Sequence, residues 1–154
     1  MLYPYFGFFA GQLKNKNNIL KWHAIDIVAN LTIIDVKKKF DRFINKYYRL
    51  LYEGSLITAG HVIAGSPVIA RAKPYLEPKI TKEILRIEKI PLPTAECRNI
   101  LKGHAITAFD RYFKLIKNKT GVVCFIRKEL KNRRSSTKKK AKEFLNKWTE
   151  CNCF

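Results

Sequence analysis

Apolar residues recur at helical spacing along much of the chain, most regularly between Asp35 and Tyr52. In that stretch they fall at i, i+4, i+7, i+8, i+11 and i+15, and basic residues fill most of the other positions. These apolar residues are Val36, Phe40, Phe43, Ile44, Tyr47 and Leu51. Asp35 stands where an N-cap is expected, and Gly54 follows the last turn. The pattern predicts one amphipathic helix from Asp35 to Tyr52.

A second helix is predicted from Ala95 to about Lys117. Thr94 is placed to cap it, and the prolines just upstream prevent it from extending backward. Its apolar stripe consists of Cys97, Leu101, His104, Ala105, Ala108, Phe109, Tyr112 and Ile116. A shorter helix is predicted from Thr81 to Lys89, between two further prolines.

The C-terminal segment predicts a final, strongly basic helix. Ser135 or Ser136 is placed to cap it, and its apolar residues then share one face. Those residues are Ala141, Phe144, Leu145 and Trp148. Such a helix suits a nucleic-acid groove, an anionic bilayer or a partner protein, and the plainest alternative is a solvated face docked by its apolar strip.

The secondary structure of other segments is predicted less clearly by their sequence. Leu50–Ala70 is the most hydrophobic stretch, but its polar residues, glycines and proline favour a buried strand–turn–strand or a short helix over a membrane span. The prolines from Pro67 to Pro78 predict an extended connector. Ile19–Ile34 gives a mixed signal that ends in a strand-like run, and Gly121–Ile126 also resembles a strand.

These patterns together predict a mainly α-helical fold with a basic C-terminal helix, and they leave a minor β element open. The expected organisation is a globular domain over residues 1–126 and a basic amphipathic tail over residues 127–154. No internal repeat is evident in the sequence. Hydrophobic residues make up 47% of the chain, which is enough to form a folded core.

The charge of the chain limits the kinds of molecule that it is expected to bind. The 154 residues contain 31 Lys and Arg against 12 Asp and Glu, a formal net charge of +19. A compact domain with this surplus repels itself until an anionic partner neutralises it. Three of the four cysteines lie in the last 31 residues, which argues against a disulfide framework and for reduced thiols in the cytoplasm or nucleus.

The sequence therefore predicts a small nucleic-acid-binding protein, with RNA favoured over DNA. Lys outnumbers Arg, so contact with backbone phosphates and weak sequence specificity are expected. The primary contact residues are predicted to be Arg133, Arg134, Lys138, Lys139, Lys140 and Lys142, and the second set Lys37, Lys38, Arg42, Lys46 and Arg49. Tyr48 lies off the apolar stripe of its helix and is the candidate for stacking on a base.

Three other partners stay open. Cys151 is the fourth residue from the end of the sequence, the position of a prenylated cysteine, and the polybasic segment would supply the second signal for an anionic membrane surface. The basic surface could instead dock on an acidic protein as a non-catalytic subunit. A place among the other proteins of a ribonucleoprotein complex is compatible with the first prediction.

No catalytic or nucleotide-binding motif is present, and no cofactor or metal is expected because the histidines and cysteines are scattered. Asp26 with His23, and Asp110 with His104, are the nearest acid–base pairs in sequence, at spacings that arise by coincidence. A metal-dependent nuclease is the remaining enzymatic alternative, and Asp26, Asp35 and Asp41 would be its first carboxylates to test. The chain is predicted to be non-catalytic.

Overall fold

The computed structural model describes residues 2–149, the last of these by its backbone alone, and within them the chain is helical with no β-strand. The α-helices are α1 Phe6–Gln12, α2 Asn18–Leu31, α3 Ile44–Arg49, α4 Leu56–Ala72, α5 Glu77–Leu85, α6 Ala95–Tyr112, α7 Lys119–Glu129 and α8 Ser135–Thr149. Short 3-10 turns flank them at Tyr3–Tyr5, Thr32–Ile34, Phe40–Arg42, Leu50–Tyr52, Pro74–Leu76, Ile87–Lys89 and Phe113–Leu115. The mainly α prediction is confirmed.

Short and long helices alternate along the described chain, which divides it into four helix pairs. The long helices start at residues 18, 56, 95 and 135, a repeat of 38 to 40 residues. Asn17, Ser55 and Thr94 precede the first three, and each accepts a hydrogen bond from a first-turn amide. This repeat lies in capping and helix length and not in recurring residues, which is why no internal repeat is evident in the sequence.

The long helices α2 and α4 run parallel, and so do α6 and α8. Hydrogen bonds join each pair at residues that lie at similar distances from the start of each helix. The Trp22 indole donates to the Thr58 hydroxyl at 3.1 Å, which links α2 to α4. The Thr137 hydroxyl donates to the Asn99 carbonyl at 2.8 Å, and the Trp148 indole donates to Asp110 at 2.7 Å. These two bonds join the start of α6 to the start of α8 and the end of α6 to the end of α8.

The helix α4 packs between α2 and α6 at the centre of this row. The short helices form a second layer, in which the Phe6 and Phe43 rings meet at 5.8 Å and the Lys79 ammonium donates to Asn45. The two layers enclose the core, whose largest fully buried side chains include Phe40, Tyr47, Phe109, Tyr112 and Phe113. The result is a stack of helix pairs of the kind seen in helical-repeat proteins.

The predicted helix from Asp35 to Tyr52 is broken into a 3-10 turn, α3 and a second 3-10 turn. The Asp35 carboxylate accepts hydrogen bonds from the Lys39 and Phe40 amides at 2.8 and 2.9 Å, and it pairs with the buried Lys73 ammonium at 3.1 Å. These bonds hold a turn in which Lys38 has a φ of 51°. Asp35 therefore caps the 3-10 turn, and Gly54, with a φ of +79°, ends the segment as expected.

The strand-like segments are helical. Leu31 ends α2, the residues after it form a 3-10 turn, and Gly121–Ile126 lies inside α7. Leu56–Ala72 is one helix that contains Pro67, so the strand–turn–strand and connector predictions are also wrong. Their β-branched residues fit the buried face of a helix here, because packing between layers outweighs the weak intrinsic β preference.

The helix predicted from Ala95 is confirmed at its start, where Thr94 accepts a hydrogen bond from the Cys97 amide, but it ends at Tyr112 and not at Lys117. The helix predicted from Thr81 to Lys89 instead begins at Glu77 and ends at Leu85, with Pro78 in its first turn, where proline is tolerated. The apolar strip of α8 is buried against α6 and α7, with Ala141 and Phe144 at most 2% exposed. The helix α7 runs across residue 126, the boundary expected between the domain and the tail.

The surface at the start of the first helix pair differs from the rest in having exposed aromatic rings and no charge. Residues 2–13 contain no charged side chain, and Tyr5 and Phe8 are 61% and 62% exposed. The aromatic N-terminal segment nevertheless folds onto the core, because Phe6 and Leu13 are buried.

Close packing at Gly65 gives a stability prediction with an internal control. A Cβ at this position would lie 2.5 Å from the Tyr47 hydroxyl and 2.9 Å from the Ala29 Cβ. We expect Gly65→Ala to lower the free energy of unfolding by about 1–3 kcal/mol. Gly60 lies in the same helix with open space around it, so Gly60→Ala should raise stability by about 0.5–1 kcal/mol. Denaturant unfolding of both variants is the measurement, and equal effects would contradict the packing described here.

The Asp35–Lys73 pair predicts lability to acid. Burial acts to raise the pKa of Asp35, but hydrogen bonds from the Phe40 and Lys39 amides and from Tyr3 outweigh it and hold the pKa below 3.8. The stabilisation is therefore complete above pH 3.8 and is lost as the pH falls through the lower folded-state value.

We expect Asp35→Asn to cost roughly 3–5 kcal/mol at neutral pH and to flatten this acid dependence. The exposed Glu143→Gln is the control, and it should change neither property. Thermal unfolding between pH 2 and 7 measures both effects, and an unaltered acid profile for Asp35→Asn would contradict the assignment.

Candidate nucleic-acid interface

The acidic side chains are engaged in holding the fold together. Of the 12 Asp and Glu residues, Glu150 lies outside the described part, and each of the other eleven accepts a hydrogen bond or forms an ion pair. Glu129, for example, binds Lys102 at 3.1 Å and the Asn132 amide at 2.6 Å. Few carboxylates are therefore left to neutralise surface cations.

All 31 Lys and Arg residues lie within residues 2–149, and eight of them form ion pairs there. The remaining 23 have no carboxylate partner in that part of the chain. The surplus of positive charge is thus a property of the surface and is not cancelled by local pairing.

These cations are concentrated on the layer of short helices. A shallow groove of about 300 Å³ lies between α3 and α5, and a second of about 590 Å³ lies between α5 and the start of α7. Arg86 and Lys89 line both grooves. With the cations at the C-terminal end of α7, they form what we call the basic face: Arg49, Lys79, Lys82, Arg86, Lys89, Arg127, Lys128 and Lys131.

The first two long helices contrast with this layer. The helix α4 has a single charged residue, Arg71, in 17 positions, and α2 has only Lys21 and Asp26. Lys21 is paired with Glu53 at 2.8 Å. The helices α2 and α4 therefore carry little of the surplus charge.

The helix α8 places part of its predicted contact set on the surface. Arg133, Lys138, Lys139 and Lys142 are exposed. Arg134 is half-buried and paired with Glu96, and the Lys140 ammonium reaches the Gly103 carbonyl at 3.4 Å. Burial, with Lys140 and Arg134 nearby, lowers the pKa of His104, as expected where the local potential is positive.

The second predicted set is also at the surface, but its aromatic member is not. The cations Lys37, Lys38, Arg42, Lys46 and Arg49 are all exposed. Tyr48 is only 2% exposed, and its hydroxyl bonds that of Ser66 at 2.9 Å. The expectation that Tyr48 stacks on a base is therefore wrong, because the break in the predicted helix turns this side chain into the core.

The sequence analysis missed the cations of α5 and of the turn that follows it. Lys79, Lys82, Arg86 and Lys89 fall at i, i+3, i+7 and i+10, the spacing of one helical face. Lys79 and Lys82 lie in α5, and Arg86 and Lys89 lie just beyond its end. The short apolar stripe of this segment drew attention away from its polar side. The same periodicity, applied to charge, would have found the row.

The acid–base pairs suggested by sequence proximity do not form. Asp26 instead bonds His61 Nδ1 at 3.0 Å, and Asp110 bonds Lys147 and Trp148. Asp35 and Asp41 do come together, but around the Lys73 ammonium, at 3.1 and 3.3 Å. No cluster of three or more metal-ligating side chains occurs within residues 2–149.

The cysteines of the described part are free thiols, with Cys97 half-buried and Cys124 exposed. Cys151, the candidate for lipidation, lies outside the described residues. From residue 2 to residue 149, no helix combines the length and apolar character needed to cross a bilayer.

No protein-family model matches the chain, and no curated protein and no solved structure matches it.

Proposed function

We propose that this protein binds nucleic acid through its phosphate backbone, using the basic face together with the exposed cations of α8. The observation that carries the proposal is the set of 23 cations without a carboxylate partner in the described residues, seven of which lie on the basic face. Each contact with a phosphate releases condensed counterions, so such a surface gains free energy from a polyphosphate at moderate salt.

The chemistry of the face favours phosphates over bases. Five of its eight cations are lysines, which act as point charges without the fork geometry that recognises a base edge. We therefore expect low sequence specificity and a strong dependence of affinity on salt. An intracellular location and a place in a ribonucleoprotein assembly go with this proposal.

The burial of the apolar strip of α8 bears on the membrane alternative. Phe144 and Trp148 are 2% and 8% exposed and pack on Phe113. The helix therefore presents only its cationic side, and insertion into a bilayer would require it to leave α6 and α7. In the binding experiment described below, anionic vesicles and an acidic protein are therefore compared with nucleic acid as alternative partners.

Charge reversal on α5 tests the proposal. We expect the triple variant Lys82→Glu, Arg86→Glu, Lys89→Glu to weaken binding of labelled RNA or DNA by roughly 100-fold near 0.1 M salt. The slope of log affinity against log salt should fall by about 2–3, because each lost phosphate contact removes about 0.9. Fluorescence anisotropy over a salt series measures both quantities.

The matched control reverses three cations outside the short-helix layer, namely Lys14, Lys16 and Arg111. Because its net charge equals that of the test variant, it should keep affinity within roughly fivefold of wild type at the same salt. An equal loss of affinity in both variants would mean that binding depends on net charge alone and not on the basic face. Tighter binding of wild type to anionic vesicles or to an acidic protein than to nucleic acid would overturn the proposal.

The contribution of α8 is tested separately. Lys138→Gln, Lys139→Gln, Lys142→Gln removes three exposed charges and spares the half-buried Lys140. We expect affinity to fall roughly tenfold to the same extent for unrelated sequences, with a lower salt slope, because these contacts go to phosphates. An unchanged salt slope would remove α8 from the interface.

A further inference from the structure

We infer that the ligand of the basic face is a double-stranded nucleic acid rather than a single strand. This inference rests on the proposed function and adds the class of ligand. It is carried by two observations, namely the burial of the aromatic rings near the cations and the distribution of those cations over two neighbouring grooves.

Proteins that bind single strands place bases on exposed aromatic rings, and each stacked base contributes about 1–3 kcal/mol. The rings of the short-helix layer are not available for this. Tyr47, Tyr48, Tyr112 and Phe113 are at most 2% exposed. They form the core contact between the two layers.

The other rings near the basic face are occupied, half-buried or remote. Tyr75 is 52% exposed, but the Lys38 ammonium lies 5.3 Å from the centre of its ring, and its hydroxyl donates to Asp41. Tyr52 is half-buried beside Glu83, and Phe125 is half-buried against the core. Tyr5 and Phe8 are exposed, but they lie in the uncharged segment from residue 2 to residue 13.

The cations line two neighbouring grooves. Arg49 and Lys79 line the groove between α3 and α5, and Lys82 lines the groove between α5 and the start of α7. Arg86 and Lys89 line both grooves. A single strand in one groove would leave the cations particular to the other without a phosphate.

A duplex fits this array better on electrostatic grounds. It carries one negative charge per about 1.7 Å of axis, against about 3.4 Å for each strand alone, and it presents phosphates on both sides of a groove about 6–12 Å wide. Cations that line two neighbouring grooves can therefore contact two strands at once. Both A-form RNA and B-form DNA offer this shared chemistry.

Competition between matched probes tests the inference. Wild-type protein is titrated into labelled duplex RNA, duplex DNA and the unstructured single strands of each, all about 20 nucleotides long and at equal phosphate concentration. We expect at least one duplex to bind at least about tenfold more tightly than its own single strands. Its salt slope should also be steeper, because each phosphate contact contributes about 0.9 on a duplex and about 0.7 on a single strand.

Single strands binding as tightly as both duplexes, or more tightly, would overturn the inference while leaving the proposed function standing. Failure of every probe to bind would overturn the proposed function itself. Tyr75→Ala supplies a second readout, since a tenfold loss of single-strand affinity would reveal stacking, whereas an unchanged affinity supports the inference. Circular dichroism confirms that this variant is folded.

Discussion

The long helices of this protein pack in a row in which α4 lies between α2 and α6 and α6 lies between α4 and α8, and the rest of the described chain is arranged around that row. Polar cross-links set the height of each helix, as between Trp22 and Thr58 or Asp110 and Trp148. The short helices fill the second layer, and carboxylates such as Asp35 and Glu129 join segments distant in sequence. Because the described acidic residues are used in this way, the cations of the outer layer stay unneutralised.

The sequence predicted those parts of the fold that depend on local signals. Thr94 and the apolar strip of α8 identified two helices correctly, since capping and periodicity act within a few turns. Asp35 misled the prediction, because its partner Lys73 lies 38 residues away and turns one expected helix into three pieces. The stacking of pairs was also hidden, because it recurs in helix length and cap position, not in residue identity.

The candidate site also divides into features that local sequence signals predict and features that depend on tertiary structure. The net charge follows from the composition alone, and the exposed lysines of α8 could be predicted from the length of the basic run in the sequence. The α5 row was missed, although its spacing is regular, and Tyr48 was misplaced because its exposure depended on the register of a helix that is broken. Which cations are cancelled by carboxylates is a tertiary property, because pairs such as Glu96 with Arg134 span 38 residues.

The uncharged segment from residue 2 to residue 13 has a consequence for colloidal behaviour. Its exposed rings, Tyr5 and Phe8, favour apolar contact between copies of the protein. Long-range repulsion between highly cationic copies opposes that contact. It weakens as ionic strength rises or as a bound polyanion titrates the charge, so the protein should be most prone to self-association near charge equivalence with its ligand.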